Sequence, residues 1–346
     1  MKVTVLMGGR SSEREISLRT GRGIAQSLRN LGHDVTALDT ATGKLLPAGE
    51  EERAALPAAE VANLPAKAEV AVASSATLRD ADVVFVALHG GEGEDGTIQA
   101  LLELTGRPYT GSGVMASAVA MNKAMSKRIF EHGGIPTPRW VLIADGRMPE
   151  TIDLEALGGL PLVVKPNAEG STVGLSIVED AAQLPEAIEL AARYGPEVLV
   201  EEFIAGRELT VAVMGDDALP IVEIRPKSGF YDYESKYTAG MSEYFCPADL
   251  PEPLAAKVRE LGIRAHQVLG CAGVSRVDFR LDAQNEAWCL EVNTVPGMTP
   301  TSLVPMAAKA RGMTYDQVVQ RMLDLAVTEA QRRRGRTSSS GASART

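Results

Sequence analysis

The chain has 346 residues, 45% hydrophobic and 23% charged, which is the composition of an ordinary globular protein long enough for two or three domains. Its net charge of −10 argues against a general nucleic-acid or anionic-membrane surface, while leaving room for a local basic pocket that holds a phosphate. The cysteines Cys246, Cys271 and Cys289 are widely spaced, and the four histidines have no paired spacing. That excludes a disulfide framework and a zinc centre, and predicts buried thiols in a reducing cytosol.

Lys2 to Met7, ended by Gly8-Gly9, reads as a buried first strand and lacks the apolar run and cleavage site of a signal peptide. No apolar stretch approaches the ~20 residues that span a bilayer, so a cytoplasmic protein is expected. Ser12 with Glu15 three residues later forms a capping box, predicting a helix to about Asn30 that Leu31-Gly32-His33 stops. Asp34 to Asp39 is a second strand. Residues 41–79 are rich in Ala, Glu and Pro and show no clear pattern. Asp82 to Leu88 is a strand and Thr97 to Leu104 a helix, and this alternation predicts a parallel sheet. Val114 to Gly133 reads as one helix, broken by Ile135-Pro136-Thr137-Pro138. Strands follow at Leu162 to Pro166, Leu175 to Val178 and Glu197 to Ile204, with a helix over 181–193. Glu208 to Met214 and Leu219 to Ile224 suggest an antiparallel sheet. Helices are expected at Leu250 to Leu269 and at 314–329. Gln331 to Thr346 is basic, then Ser- and Gly-rich, a composition that predicts disorder.

Arg276 to Asp282 and Trp288 to Asn293 read as a hairpin. Side chains alternate faces along a strand. Val277, Phe279 and Leu281 therefore share one face with Trp288, Leu290 and Val292, while Cys289, Glu291 and Asn293 point the other way. A two-residue turn at Gln284-Asn285 sets Asp278 opposite Glu291 and Arg276 opposite Asn293, with facing Cβ atoms ~5 Å apart. Two ionised carboxylates at that distance call for a cation, and hard oxygen donors suit Mg²⁺. The alternative is an ordinary hairpin with one wet face. The acids and the amide gather at its open end beside Pro296-Gly297, which favours the metal.

Two glycine patterns mislead. Gly91-x-Gly93-x-x-Gly96 fits a dinucleotide fingerprint, but Glu92, Glu94 and Asp95 would repel a pyrophosphate. Gly111-x-Gly113-x-x-Ala116 lacks a long apolar strand before it, and there is no G-x-x-x-x-G-K-[ST] sequence. Lys165 followed by Glu169-Gly170-Ser171-Thr172-Val173-Gly174 offers backbone N–H groups, hydroxyls and a positive charge to phosphates, or else forms a plain hairpin. Glu201-Glu202-Phe203-Ile204 with Glu208 could read a nucleoside, or be a solvated acidic strand end. Glu13 at a helix start either favours the helix dipole or grips a substrate ammonium. His89 either faces a ligand or is satisfied in the core.

Taken together, these segments resemble the D-alanine–D-alanine ligase family of the ATP-grasp superfamily from Val5 to about Ala326. The matching strings run from Gly8-Gly-Arg-Ser-Ser-Glu-Arg-Glu-Ile-Ser17 through Leu88-His-Gly90, Glu94-Asp-Gly-Thr97, Tyr109-Thr-Gly-Ser-Gly-Val114, Lys165-Pro and Glu169-Gly-Ser-Thr-Val-Gly174. They continue through Phe230-Tyr-Asp-Tyr-Glu-Ser-Lys-Tyr237 and Arg276-Val-Asp278 to Glu291-Val-Asn-Thr-Val-Pro-Gly-Met-Thr299.

The resemblance implies an α/β, parallel-sheet N-terminal domain (1–113) followed by a two-lobed α+β ATP-grasp fold (114–201 and 202–330), with 331–346 outside the pattern. It implies ATP-dependent joining of two D-alanines through an acyl phosphate for peptidoglycan precursors. A close alternative makes D-alanyl-D-lactate or D-alanyl-D-serine. More distant alternatives are a nucleotide-binding dehydrogenase and a non-catalytic ATP-binding module. It further implies Mg²⁺ or Mn²⁺, two ions, on Asp278, Glu291 and Asn293. Lys123 and Lys165 match phosphate contacts. Glu201, Phe203 and Ile204 match the adenine strand, and Glu208 the ribose contact. Arg276 and Gly297 match oxyanion donors. Glu13, Ser171 and Tyr237 match the grip on the first substrate, with His89 nearby. Lys236 matches a contact to the transferred phosphate, and Ser302 and Leu303 the grip on the second substrate. Tyr237 goes with the dipeptide-forming relatives. The expected partners are ATP, D-alanine and a second copy in a homodimer, with no nucleic acid and no membrane.

Overall fold

The structure is a computed structural model that describes residues 1–61, 76–226 and 242–342. In the first sheet, β1 (Lys2–Met7), β2 (Asp34–Asp39), β3 (Lys44–Leu46) and β4 (Val83–Val86) lie in the order β3-β2-β1-β4. β1 is parallel to both β2 and β4, as the alternating pattern predicts. Every residue of β4 is buried, as parallel strands covered on both faces require. The helix Arg14–Asn30 returns the chain from β1 to β2 and buries Leu18, Ile24, Ala25 and Leu28.

That helix does not start on the Ser12–Glu15 box. Glu13 is its N-cap residue, and no side chain caps it. Ser11 accepts from the Glu13 N–H at 3.2 Å and donates to the His89 carbonyl at 2.5 Å. A contact across the fold has displaced the local signature. It leaves Glu13 at the mouth of the strand–helix turn.

The second sheet contains β5 (Trp140–Ile143), β6 (Leu162–Pro166), β7 (Ser176–Val178) and β8 (Val198–Glu202). They form an antiparallel sheet in the order β5-β8-β6-β7. The helix Leu184–Ala192 covers it with Leu184, Ala187, Ile188 and Ala191.

The third sheet is six-stranded. It holds β9 (Arg207–Met214), β10 (Asp217–Ala218), β11 (Val222–Pro226), β12 (Ser242–Phe245), β13 (Val274–Leu281) and β14 (Ala287–Asn293). The order is β12-β11-β9-β13-β14, with β10 paired to β9. Leu209, Val211, Val213, Val277, Phe279, Val292 and the helix Glu252–Val268 share its core. Phe130 packs there too.

The segment predicted as one helix from Val114 to Gly133 is two, Val114–Met121 and Lys123–His132. Asn122 breaks it, because its Oδ1 accepts from the Met125 N–H at 2.9 Å and caps the second helix. Lys123 therefore stands at a helix N-terminus. The last helix spans Tyr315–Ala342 and so continues beyond 329 into the tail for which composition predicts disorder. Gln and Arg at the start of that tail are good helix formers. Val318, Val319, Met322, Leu323 and Ala326 of this helix pack with Val5, Met7, Ile24 and Phe85 of the first layer.

The hairpin of β13 and β14 keeps the expected facing pairs at its open end: Arg276 opposite Asn293 and Asp278 opposite Glu291. It reaches them by a different route. The Asp282 N–H bonds the Glu286 carbonyl at 3.0 Å, and Asn285 has φ 63°, so the turn holds Ala283, Gln284 and Asn285 rather than two residues. Phe279 then pairs with Cys289, and a bulge between Asp278 and Phe279 restores the register. The bulge changes which side chains are inside. Ala287, Cys289 and Val292 are buried, whereas Trp288 and Leu290 are only partly so. Cys289, predicted to share a face with Glu291, thus lies in the core, and Leu290 is moved to the ligand side.

All three thiols are free, but only Cys289 is fully buried. Partial burial still pushes Cys246 up to about 11 and Cys271 up to about 12, so both are poor nucleophiles. Among the described residues no helix is long and apolar enough to cross a membrane.

Candidate active site

A cavity of about 240 Å³ opens where the three sheets converge. Its wall takes Glu13 and His89 from the first layer, Glu169, Gly170 and Ser171 from the loop after β6, and Arg276, Asp278, Glu291 and Asn293 from the hairpin. The turn carrying Gly297, Ser302 and Leu303 closes one side. A neighbouring cavity of about 110 Å³ lies between the second and third sheets. Lys165, Glu201, Phe203, Ile204 and Leu290 line it. Lys123, Glu169, Gly170, Ser171, Glu208, Asp278 and Glu291 border both, so the two cavities share a wall.

The smaller cavity has an apolar slot and a charged base. Phe203 and Ile204 lie at its wall, and Arg280 sits 5.8 Å over the Phe203 ring. Arg280 also donates to the Ile204 carbonyl at 3.0 Å and pairs with Glu208 at 3.3 Å. Glu201, 2% exposed, is bound by Lys165 at 2.5 Å and Lys127 at 2.9 Å. Burial alone would push the Glu201 carboxyl up, but the two ammonium groups outweigh it and hold it below the ordinary carboxylate range.

At the shared wall, cationic side chains meet the carboxylates. Arg276 grips Asp278 through Nε at 2.9 Å and Nη2 at 2.7 Å. Thr210 donates to Asp278 Oδ1 at 2.6 Å. Lys123 Nζ lies 3.3 Å from Glu291 Oε2 and donates to the Glu169 carbonyl at 2.6 Å. The two facing carboxylates therefore do not stand bare across the hairpin: each already has a cation from the chain beside it.

In the larger cavity, Ser171 donates to Glu13 Oε1 at 2.5 Å, a contact between residues 158 positions apart. Ser171 and Thr172 take left-handed φ values of 53° and 62°, which fold the loop back over the cavity. A Cβ at Gly90 would stand 2.8 Å from Glu13 Oε2, so the absence of a side chain there lets the carboxylate into the site. Glu94 lines the same wall. Burial pushes it above the ordinary carboxylate range against the opposing pull of His89.

Residues 2–112 match the family described as D-ala D-ala ligase N-terminus, and residues 129–324 match D-ala D-ala ligase C-terminus. The D-alanine–D-alanine ligase of Bordetella petrii is 48% identical over 322 residues, 92% of this chain and 89% of that protein. That of Syntrophotalea carbinolica is 45% identical over 322 residues, 93% of this chain and 95% of that protein. The crystal structure of the Coxiella burnetii D-alanine–D-alanine ligase superposes with a TM-score of 0.83 at 28% identity, covering 100% of this chain and 99% of that one. The Bacillus anthracis ligase complexed with ATP gives 0.78 at 29% identity, covering 96% and 99%.

The chain belongs to the D-alanine–D-alanine ligase family.

Its fold is therefore ATP-grasp: a parallel-sheet domain followed by two antiparallel lobes with the smaller cavity between them. For this ligase-family chain, the structure gathers every expected site residue within the described region around the two cavities. Lys236 and Tyr237 lie outside the described residues.

His89 lines the larger cavity, and both of its ring nitrogens also have partners within the chain. Its Nδ1 lies 3.0 Å from the Val295 carbonyl and its Nε2 3.1 Å from Thr20 Oγ1. It ties the first layer to the turn that leads into Gly297. Ser302 packs so closely that a Cβ on Gly297 would stand 2.9 Å from its Oγ. Ser302 also begins the helix Leu303–Ala310 as its N-cap residue. The Leu303 N–H is therefore an N-terminal helix donor, suited to an anion.

The divalent cation that the family implies finds a chemically suitable donor set. Asp278, Glu291 and Asn293 present hard oxygens at one end of adjacent strands. The Asn293 Oδ1 accepts from the Val295 N–H at 2.9 Å and keeps a second lone pair. Among the described residues no three His, Cys, Asp or Glu side chains gather as a metal site, so the amide is needed to complete the set.

Residues that the sequence did not single out include Lys127, Thr210 and Arg280. Lys127 could have been found by its spacing, four residues after Lys123 on one helix face. Thr210 carried no such signal, because it meets Asp278 only through strand pairing.

Proposed function

We propose that this protein joins two D-alanines to D-alanyl-D-alanine at the expense of ATP, for peptidoglycan precursors. The observation that carries this is the wall shared by the two cavities. A nucleotide in the smaller cavity would present its terminal phosphate at Lys123, Glu169–Ser171, Asp278 and Glu291. A carboxylate in the larger cavity would meet it there.

A carboxylate is a poor electrophile, so one of its oxygens must first become a leaving group. The first D-alanine places its ammonium on Glu13, with Ser171 holding that carboxylate in place, and its own carboxylate at the shared wall. Phe203 and Ile204 flank the adenine, Glu201 accepts from its amino group, and Glu208 takes the ribose hydroxyls. Lys123 and Lys165 bind the phosphates, with Lys123 aided by the helix N-terminus on which it stands. Mg²⁺ or Mn²⁺ on Asp278, Glu291 and Asn293 would neutralise triphosphate charge during phosphoryl transfer. The carboxylate oxygen attacks the γ-phosphorus, and ADP leaves. The second D-alanine, its carboxylate on Ser302 and the Leu303 N–H, attacks the acyl carbon with its neutral amine. Arg276 and the Gly297 N–H stabilise the oxyanion, and loss of phosphate yields the dipeptide. Lys236 and Tyr237 are assigned to the transferred phosphate and to the first substrate's grip.

The direct test is phosphate release with ATP, Mg²⁺ and D-alanine. Release with D-alanine alone is expected. No release with D-alanine but release with D-alanine plus D-lactate would replace this reading with the ester-forming one. ATP binding without turnover on any D-amino acid would leave a binding module.

His89→Ala tests the turn. It removes two buried hydrogen bonds that position the approach to Gly297, so kcat is expected to fall about tenfold while ATP affinity is kept. An unchanged kcat would restrict His89 to a structural role.

A further inference from the structure

Lys127 has no part in the scheme above, yet its ammonium is completely buried. A charge in such a position is costly unless each of its donors is used. Burial pushes its pKa down, and the neighbouring Glu201 carboxylate opposes that shift. Lys127 Nζ lies 2.9 Å from Glu201 Oε2, and it donates to Thr137 Oγ1 at 2.8 Å and the Pro138 carbonyl at 3.2 Å. Thr137 donates in turn to the Cys289 carbonyl at 2.8 Å, and the Cys289 N–H bonds the Pro136 carbonyl at 2.8 Å. One side of Lys127 is thus anchored to β14, and the other reaches Glu201 near the end of β8. Glu201 is shared: Oε1 faces Lys165 and Oε2 faces Lys127. Lys165 lines the nucleotide cavity, whereas Lys127 stands behind it.

We infer that Lys127 is a positioning residue of the nucleotide site: it keeps Glu201 ionised and aimed at the cavity, so that Lys165 can release Glu201 and turn to the phosphates when ATP enters. This rests on the ligase reading for the identity of the nucleotide. Without Lys127, the buried Glu201 would depend on Lys165 alone. Lys165 would then stay on Glu201, or Glu201 would take up a proton. Either outcome weakens ATP binding and leaves the D-alanine cavity untouched.

Lys127→Met keeps the unbranched apolar stem and removes the ammonium group. ATP binding to the full chain is measured by calorimetry without D-alanine, for Lys127→Met, Glu201→Gln and the double variant. Lys127→Met is expected to weaken ATP binding about tenfold or more, the range for a hydrogen bond to a charged group. In the Glu201→Gln background the same substitution should cost less than about twofold, because the interaction it serves is already gone. A packing role would give equal losses in both backgrounds and overturn the inference, as would an ATP affinity for Lys127→Met within about twofold of the parent. Should Lys127→Met fail to fold, Thr137→Val removes only the anchor. It should weaken ATP by a smaller factor in the parent and not in Glu201→Gln, and unchanged affinity in the parent would equally overturn the inference. ATP binding is read apart from turnover. Absence of D-alanine-dependent phosphate release in the parent would therefore reject the ligase reading without deciding the role of Lys127.

Discussion

Glu291→Ala is expected to cut D-alanine-dependent phosphate release by about a thousandfold, the rate equivalent of the several kcal/mol that a metal ion contributes to charge stabilisation in a transition state. Glu291 supplies one of the two carboxylates on the proposed metal face, and its Oε2 also balances Lys123 at 3.3 Å. Its removal leaves Asp278 and an amide to hold a doubly charged ion, and leaves Lys123 to the Glu169 carbonyl. The same change should hardly affect folding. The Glu291 side chain is 27% exposed, and Lys123, 8% exposed, keeps its bond to the Glu169 carbonyl, so the expected loss is about 1 kcal/mol, a melting shift of about 4 °C. Steady-state kinetics across a Mg²⁺ titration, with a thermal melt beside it, separate the two effects. Turnover within tenfold of the parent, with the same Mg²⁺ dependence, would reduce Glu291 to an ion-pair partner of Lys123.

Arg276→Ala is expected to lower kcat by about 10²–10³, the loss seen when one oxyanion donor is removed. The two-pronged contact of Arg276 with Asp278 holds its guanidinium in the larger cavity beside the shared wall. Arg276→Lys keeps the charge but not the planar fork, so it should recover less than about tenfold of the loss. Thr210 continues to hold Asp278 in both variants, which limits the damage to the fold. Full activity in either variant, measured at saturating ATP and D-alanine, would leave Arg276 as a structural partner of Asp278 and remove it from the oxyanion site.

The hairpin shows how much of the site the sequence contained. Alternation along Arg276–Asp282 placed Arg276 and Asp278 on one face, and the structure agrees, because a strand's side-chain period is a property of its own backbone. The second arm was only half legible. The turn takes three residues, since Asp282 accepts from the N–H groups of Gln284 and Glu286 and from Trp288 Nε1, and Asn285 adopts φ 63°. The bulge then cancels that shift. Two errors of one residue left the Asp278–Glu291 pairing correct while exchanging the places of Cys289 and Leu290. No pattern in the arm itself announces a bulge, because its benefit is burial of Cys289 in a core built by β9 and the helix Glu252–Val268.

The helix starts divide in the same way. Asn122 caps Lys123–His132 through an atom three residues away, a local device that composition could have revealed. Ser12 had the right neighbours for a cap and did not become one, because Ser11 bonds the His89 carbonyl from across the sheet.

By itself, the sequence determined the parallel first sheet, the strand alternation, the facing acids, the loop after Lys165 and the family to which these belong. All of them depend on neighbours within a few residues or on ordered strings of residues. Only the tertiary structure decided that Lys123 stands against Glu291, that His89 holds the turn before Gly297, and that Lys127 stands behind Glu201. Those choices join residues tens to hundreds of positions apart. Coulomb attraction and burial act through space, and an alternation pattern carries no record of which distant charge will stand opposite.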